Sequence, residues 1–180
     1  MNTSTEGVTL YAGFLFDLAR CYEAQSLVSN KLLSMAKRFS PERPNERAPM
    51  QLYNDMCNWI ESELGPASVR KAGVAASSRA YDHITREPAF PNCPKPLQIL
   101  TALSRVVRVM IQDPEGRGWE IRSSELQRVL MRRTQTFNCI LQEGLLEGLV
   151  SRAGCSQVAV VHSSCDRKHA PFCEYAISWQ

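Results

Sequence analysis

The chain has 180 residues, 44% of them apolar and 22% charged, which suits a folded domain that buries a core without disulfide staples and excludes wholesale disorder or a fibrous repeat. Twenty-one basic against eighteen acidic side chains leave a net charge of +3 with no basic tract, so no direct nucleic-acid partner is expected. No apolar run reaches membrane-spanning length, and Glu6 and Asp17 interrupt what would have to be a secretory leader, so the sequence reads as cytoplasmic with no membrane partner.

From 9 to 39 apolar residues recur at helical spacing, with Tyr11, Phe14, Leu15 and Leu18 followed by Val28, Leu32 and Met35, predicting one long helix or two short ones. SPERPNERAP, 40–49, carries three prolines and four charges and reads as an exposed linker. Leu52, Met56, Trp59, Ile60 and Leu64 form a helical stripe ending at Gly65, and a second helix runs through the Ala- and Arg-rich 68–87 until PAFPNCPKP breaks it. The helical period returns over 97–111 and stops at the turn DPEGRG.

The pattern then changes. Short strands are expected at 119–124, with Trp119, Ile121 and Ser123 on one face, and at 126–134, although 125–133 also admits a helix. Phe137, Ile140, Leu141, Gly144, Leu145, Gly148 and Leu149 make a helical face, closed by Gly154, in which the two interior glycines leave a groove for close backbone approach. Residues 157–162 and 173–179 read as two closing strands, the last with Cys173, Tyr175, Ile177 and Trp179 inward. The fold class is therefore α+β: N-terminal helices packed on a small antiparallel sheet of order strand-strand-helix-strand-strand. The natural division is an N-terminal helix and linker, 1–48, and a ligand-binding domain, 49–180.

Seven cysteines in a reducing compartment bind metal or simply pack. Cys139 opens the glycine-grooved helix, and Cys165 and Cys173 bracket the loop between the last two strands, so a hairpin folding over a helix start brings three thiols together. Tetrahedral zinc is the natural occupant, with His162, Glu115 or Glu120 as the fourth donor and His169 a less constrained choice. Buried free cysteines are the alternative.

FNCILQEGLLEGLVSRAG followed by VVHSSCDRKHAPFCEYAISW resembles the C-terminal half of the 4-vinyl-reductase domain, as found in the sensory domains of bacterial phenol-responsive transcription activators. Those domains resemble in fold the TRAPP tethering subunits and the haem nitric-oxide-binding domains. Cys139, Gly144, Gly148, Cys165 and Cys173 match the register of the sensors' zinc site, so the resemblance implies zinc ligation by the three thiols. The sensors place a zinc-binding carboxylate just ahead of a pocket tryptophan; Trp119 suits that tryptophan, but Arg117 and Gly118 stand where the carboxylate is expected. PLQILTALSRVV holds no counterpart of the phenol-pairing histidine, which argues against phenol as the ligand.

Trp119, Tyr175 and Trp179 are the candidate lining of an apolar pocket, against the plainer reading of core aromatics. His83 is the candidate axial ligand for a haem, since related gas sensors use a helical histidine. The Tyr-x-Ser-x-Arg propionate signature is missing, His162-Ser163-Ser164-Cys165-Asp166 being the nearest string, so haem is the minority alternative. Ser163, Ser164, His162 and Asp166 lack the glycine-flanked elbow of a hydrolytic nucleophile, and no nucleotide-binding glycine loop is present, so no catalytic residues are expected. The Arg132–Arg133 and Arg70–Lys71 pairs read as solvated faces. These observations describe a non-enzymatic module that senses a small hydrophobic or aromatic ligand and signals as a homodimer or through a regulatory protein; a haem- or tetrapyrrole-binding protein or reductase accessory is the alternative, and a tethering-type assembly protein a third.

Overall fold

Strand pairing overrides the helical period at the very start of the chain. In the computed structural model, which describes residues 4–86, 90–165 and 170–180, Thr9–Tyr11 is a strand, β1, and not the beginning of a helix. A left-handed turn at Gly7 (φ 71°) sets it up, and it pairs antiparallel on both sides, with β2 (Arg47–Pro49) and β3 (Ile111–Gln112). Two short helices follow, α1 (Gly13–Arg20) and α2 (Ser26–Met35). The proline-rich stretch 40–49 forms no helix, as expected, but its end is not an exposed linker. Ala48 is fully buried in β2, and the Ala12 and Gly13 amides donate to the Glu46 and Pro44 carbonyls at 2.8 Å.

Helices α3 (Met50–Leu64) and α4 (Pro66–Thr85) share Gly65 as their junction, its φ of 80° taking the left-handed conformation that lets one helix end and the next begin with Pro66. After α5 (Pro96–Met110) come β4 (Trp119–Glu125), β5 (Arg128–Arg133), α6 (Cys139–Arg152), β6 (Ala159–Ser164) and β7 (Cys173–Ser178). The last four strands form an antiparallel sheet of order β4-β5-β7-β6, confirming the α+β class and the strand-strand-helix-strand-strand order. The three-stranded sheet β2-β1-β3 was not anticipated. A bulge between Ile121 and Ser123 breaks the alternation of β4, so Ser123 is exposed while Trp119 is buried; Leu126 falls in the turn before β5 and is 93% exposed. Cys173, Tyr175, Ile177 and Trp179 all face the core, as their alternation predicts. One core joins both ends of the chain, with Leu10, Leu15 and Leu32 in the same cluster as Ile60, Leu149 and Ile177. Among the described residues no helix is long and apolar enough to cross a membrane.

The position of α6 follows from two devices. Along its flank, Gly144 and Gly148 meet Gly73 and Ser77 of α4 so closely that the two backbones touch, the most extensive contact between any two elements. A Cβ on Gly144 would run into the Arg70 carbonyl and lie 2.9 Å from the Val74 nitrogen, and one on Gly73 would strike the Leu141 carbonyl. At its start, Asn138 caps the helix, its side-chain oxygen accepting from the Ile140 and Leu141 amides at 3.0 and 3.1 Å. Asn138 is held in turn by α3: its amide donates to Asn54, and its side-chain nitrogen to Asn58 and Glu61 at 3.2 Å.

Two consequences are measurable. Gly144→Ala gains roughly 1 kcal/mol of helix propensity but overpacks backbone against backbone, so a net loss of about 2 kcal/mol and a fall in Tm of roughly 4–8 °C are expected by calorimetry. Asn138→Ala removes the cap and strands its α3 partners, so denaturant midpoints should report a loss of about 1–2 kcal/mol.

Candidate metal centre

Because α6 begins at Cys139, that thiol sits on the first turn of a capped helix, where the positive end of the peptide dipole favours a thiolate. The hairpin of β6 and β7 folds over this end and places the Cys165 sulfur 3.8 Å from the Cys139 sulfur. His162, three residues earlier on β6, completes a group whose ligand atoms all lie within 4.8 Å of one another. Two thiolates bound at about 2.3 Å to one tetrahedral zinc stand about 3.8 Å apart, so the sulfurs are already spaced for a shared cation.

His162 is held from two sides. Its ring stacks on Tyr175, centroids 4.5 Å apart and planes 15° from parallel, and its Nδ1 lies 3.2 Å from Glu143 Oε1. The other nitrogen, Nε2, is buried, and the ring also interacts with the Cys173 sulfur. Burial alone would push the His162 pKa down, but the pull of the Cys173 sulfur and the Glu143 carboxylate outweighs it and raises the value to about 9. Tyr175 also donates its hydroxyl to the Cys139 carbonyl at 3.3 Å, tying the stacked ring to the helix start.

Cys173, the first residue of β7, is fully buried beside His162 but does not join the mutually close group of three. It accepts a hydrogen bond from Arg133 Nη2 at 3.1 Å. Arg133 is thus not part of a solvated face: it is 1% exposed, opposite Cys173 across the β5–β7 ladder, and its Nη1 donates to the Gln135 and Phe137 carbonyls at 2.7 Å. Arg132, next in the strand, points outward and pairs with Glu174 at 3.1 Å. Neither Glu115 nor Glu120 belongs to the group of three; Glu120 is exposed and pairs with Arg122. His169 and Asp166 lie outside the described residues. Sequence reasoning missed Glu143 and Arg133. The signal for Glu143 was its place one helical turn after Cys139, on the same face.

Of the three candidate pocket aromatics, Trp119 lines an apolar cavity between α4, α5, α6 and β4, together with Phe14, Tyr53, Leu103, Phe137 and Leu145. Its indole N–H is buried without a hydrogen-bond partner among the described residues. Tyr175 packs against Trp119 at 5.5 Å but is not part of the wall, and Trp179 is buried in the core away from it. The cavity measures 40 Å³, whereas sites for drug-sized ligands and cofactors occupy roughly 300–1,000 Å³. Among the described residues no histidine lines it; His83 opens instead onto a polar groove of 490 Å³ beside Asp17, Arg79 and Arg86. Burial, with Arg79 and Arg86 nearby, pushes the His83 pKa down. As arranged here, neither the cavity nor His83 fits a haem.

The sequence matches no protein-family model and no curated protein. Solved structures do match over nearly the whole chain. They include an H-NOX protein from S. oneidensis in the Fe(II)NO ligation state (17% identity, TM-score 0.67, covering 93% of this chain and 98% of that one). The H-NOX domain from Shewanella oneidensis in the Fe(II)CO ligation state, solved by NMR, matches at 15% identity with a TM-score of 0.68, covering 95% and 99%. A structure described as probing the function of heme distortion in the H-NOX family matches at 13% identity and 0.68, covering 95% of each chain. At these identities the likeness is one of fold, and it falls on the haem-domain side of the resemblance drawn from the sequence: the chain has the H-NOX fold.

Proposed function

We propose that the protein is a non-enzymatic sensory module on the H-NOX fold in which Cys139, His162 and Cys165, with Cys173 adjoining, hold a zinc ion that fastens the β6–β7 hairpin to the start of α6. The observation that carries this reading is the 3.8 Å spacing of the Cys139 and Cys165 sulfurs beside the buried imidazole of His162. An ion placed there would take that ring and the two sulfurs as ligands. The same register of cysteines and glycines is what the likeness to the 4-vinyl-reductase domain of phenol sensors rests on. With Cys173 completing four protein donors, the zinc would be structural, stabilising the fold without an open position for chemistry.

The ligand read by the module enters at the cavity walled by Trp119, whose unpaired N–H suits a small apolar molecule with one acceptor atom. A dry cavity of about 150 Å³ takes a benzene ring, so at 40 Å³ the helices must part before an aromatic ligand is admitted. Binding that differs between the closed and parted packings would shift their populations, and a homodimer contact or a regulatory partner would read the shift.

A second reading, haem or another tetrapyrrole, is favoured by the structural neighbours, H-NOX structures in the Fe(II)NO and Fe(II)CO ligation states and one that probes heme distortion. It requires the same helices to open much further and a histidine to reach the cavity.

Elemental analysis and hemin titration separate the two. The zinc reading expects one zinc per purified chain, lost in Cys165→Ala and His162→Ala, a Tm that falls when a chelator strips the metal, and no Soret band shift with hemin. A metal-free native protein that takes up hemin stoichiometrically, with the band altered in His83→Ala, would replace it by the second reading.

A further inference from the structure

The metal centre has a carboxylate behind its histidine. We infer that Glu143 is a positioning residue of this centre, holding His162 by Nδ1 so that Nε2 is the nitrogen presented to the ion, and that Arg70 of α4 holds Glu143 in turn. The inference rests on the zinc reading above and adds to it two residues, neither of which is a metal ligand.

The two oxygens of Glu143 are divided between these tasks. Oε1 lies 3.2 Å from His162 Nδ1, and Oε2 lies 3.5 Å from Arg70 Nη1. Glu143 and His162 are both mostly buried, with side chains 17% and 13% exposed, so the contact is shielded from water. A neutral imidazole that donates from Nδ1 to a carboxylate has its lone pair on Nε2, the tautomer that a metal binds, so the ring is already oriented when an ion displaces the Nε2 proton. Topology reinforces this. α6 carries Cys139 and Glu143 one turn apart, while β6 and the residue after it carry His162 and Cys165. The Glu143–His162 contact therefore joins the same two elements that the metal would join, and aligns them in its absence.

Glu147, one turn further along α6, supplies an internal control. It takes a shorter contact from Arg70, at 2.9 Å, whereas the carboxylate that His162 meets is that of Glu143. A role confined to the α4–α6 ion pairs would make the two glutamates equivalent; a role at the metal would not.

The test is zinc affinity measured by competition with a chromophoric chelator, alongside the visible spectrum of the cobalt(II)-loaded protein. Glu143→Ala is expected to weaken zinc by roughly 10–100-fold and to change the cobalt bands. Glu143→Gln, which keeps the shape and one acceptor oxygen, should fall between it and the parent and decides the matter if the alanine variant does not fold. Glu147→Gln should match the parent in both readouts. Equal zinc affinity in the parent and the Glu143 variants would overturn the inference while leaving the zinc reading intact, as would equal weakening by Glu147→Gln. A parent protein that takes up no zinc would overturn both.

Discussion

Everything at the candidate site depends on how closely α4 and α6 approach. Helices normally pack 8–10 Å apart with side chains between them, but here Gly73, Gly144 and Gly148 let backbone meet backbone, and a single methyl on Gly144 would strike a carbonyl. Such a seam leaves α6 little freedom to slide or rotate. The residue whose carbonyl closes the seam, Arg70, also sends its guanidinium to Glu143 and Glu147. Helix position and side-chain placement are thus set by the same contact, and the Asn138 network with α3 fixes the remaining end.

From this fixed helix the site is assembled on one side and the cavity on the other. Cys139 and Glu143 face the β6–β7 hairpin, whereas Leu141, Gln142 and Leu145 face the cavity. The two are not independent. Trp119 in the cavity wall packs on Tyr175, Tyr175 stacks on His162, and the Tyr175 hydroxyl reaches the Cys139 carbonyl. Packed interiors are close to crystalline density, so a displaced Trp119 has Tyr175 as its next neighbour and the histidine as the one after.

Periodicity made most of the secondary structure legible. The stripe ending at Gly65, the glycine-grooved helix and the inward alternation from Cys173 to Trp179 all rest on local patterns that the tertiary structure agrees with. β1 was not legible, because Tyr11 continues a helical stripe and only pairing with two strands distant in sequence decides otherwise. Nor was the fate of Arg133: adjacent arginines on a strand point to opposite faces, so of the pair Arg132 and Arg133 one had to turn inward once β5 was covered. At the site, the spacing of Cys139, Cys165 and Cys173 was read as a cluster with His162 as one candidate fourth donor, and the fold brings His162 rather than Cys173 into the close group; Glu143 could not be paired with His162 without knowing which face of α6 meets the hairpin.

The fold and the site point in different directions, and physical chemistry explains how both can hold. A fold records how helices and strands cover one another's apolar faces, which the chain achieves with 13–17% of its residues identical to those of the H-NOX structures compared with it. A cofactor instead needs volume and a donor at one place. The space between α4, α5, α6 and β4 is filled by Phe14, Tyr53, Leu103, Phe137 and Leu145 down to 40 Å³, and the donors have gathered elsewhere, at the mouth of the β6–β7 hairpin. The glycine seam ties α4 to α6, so enlarging the cavity without breaking it would mean displacing the other walls, α5 and β4 among them. The same seam that fixes Cys139 and Glu143 on one side of α6 thus leaves any change in cavity volume to the walls on the other side.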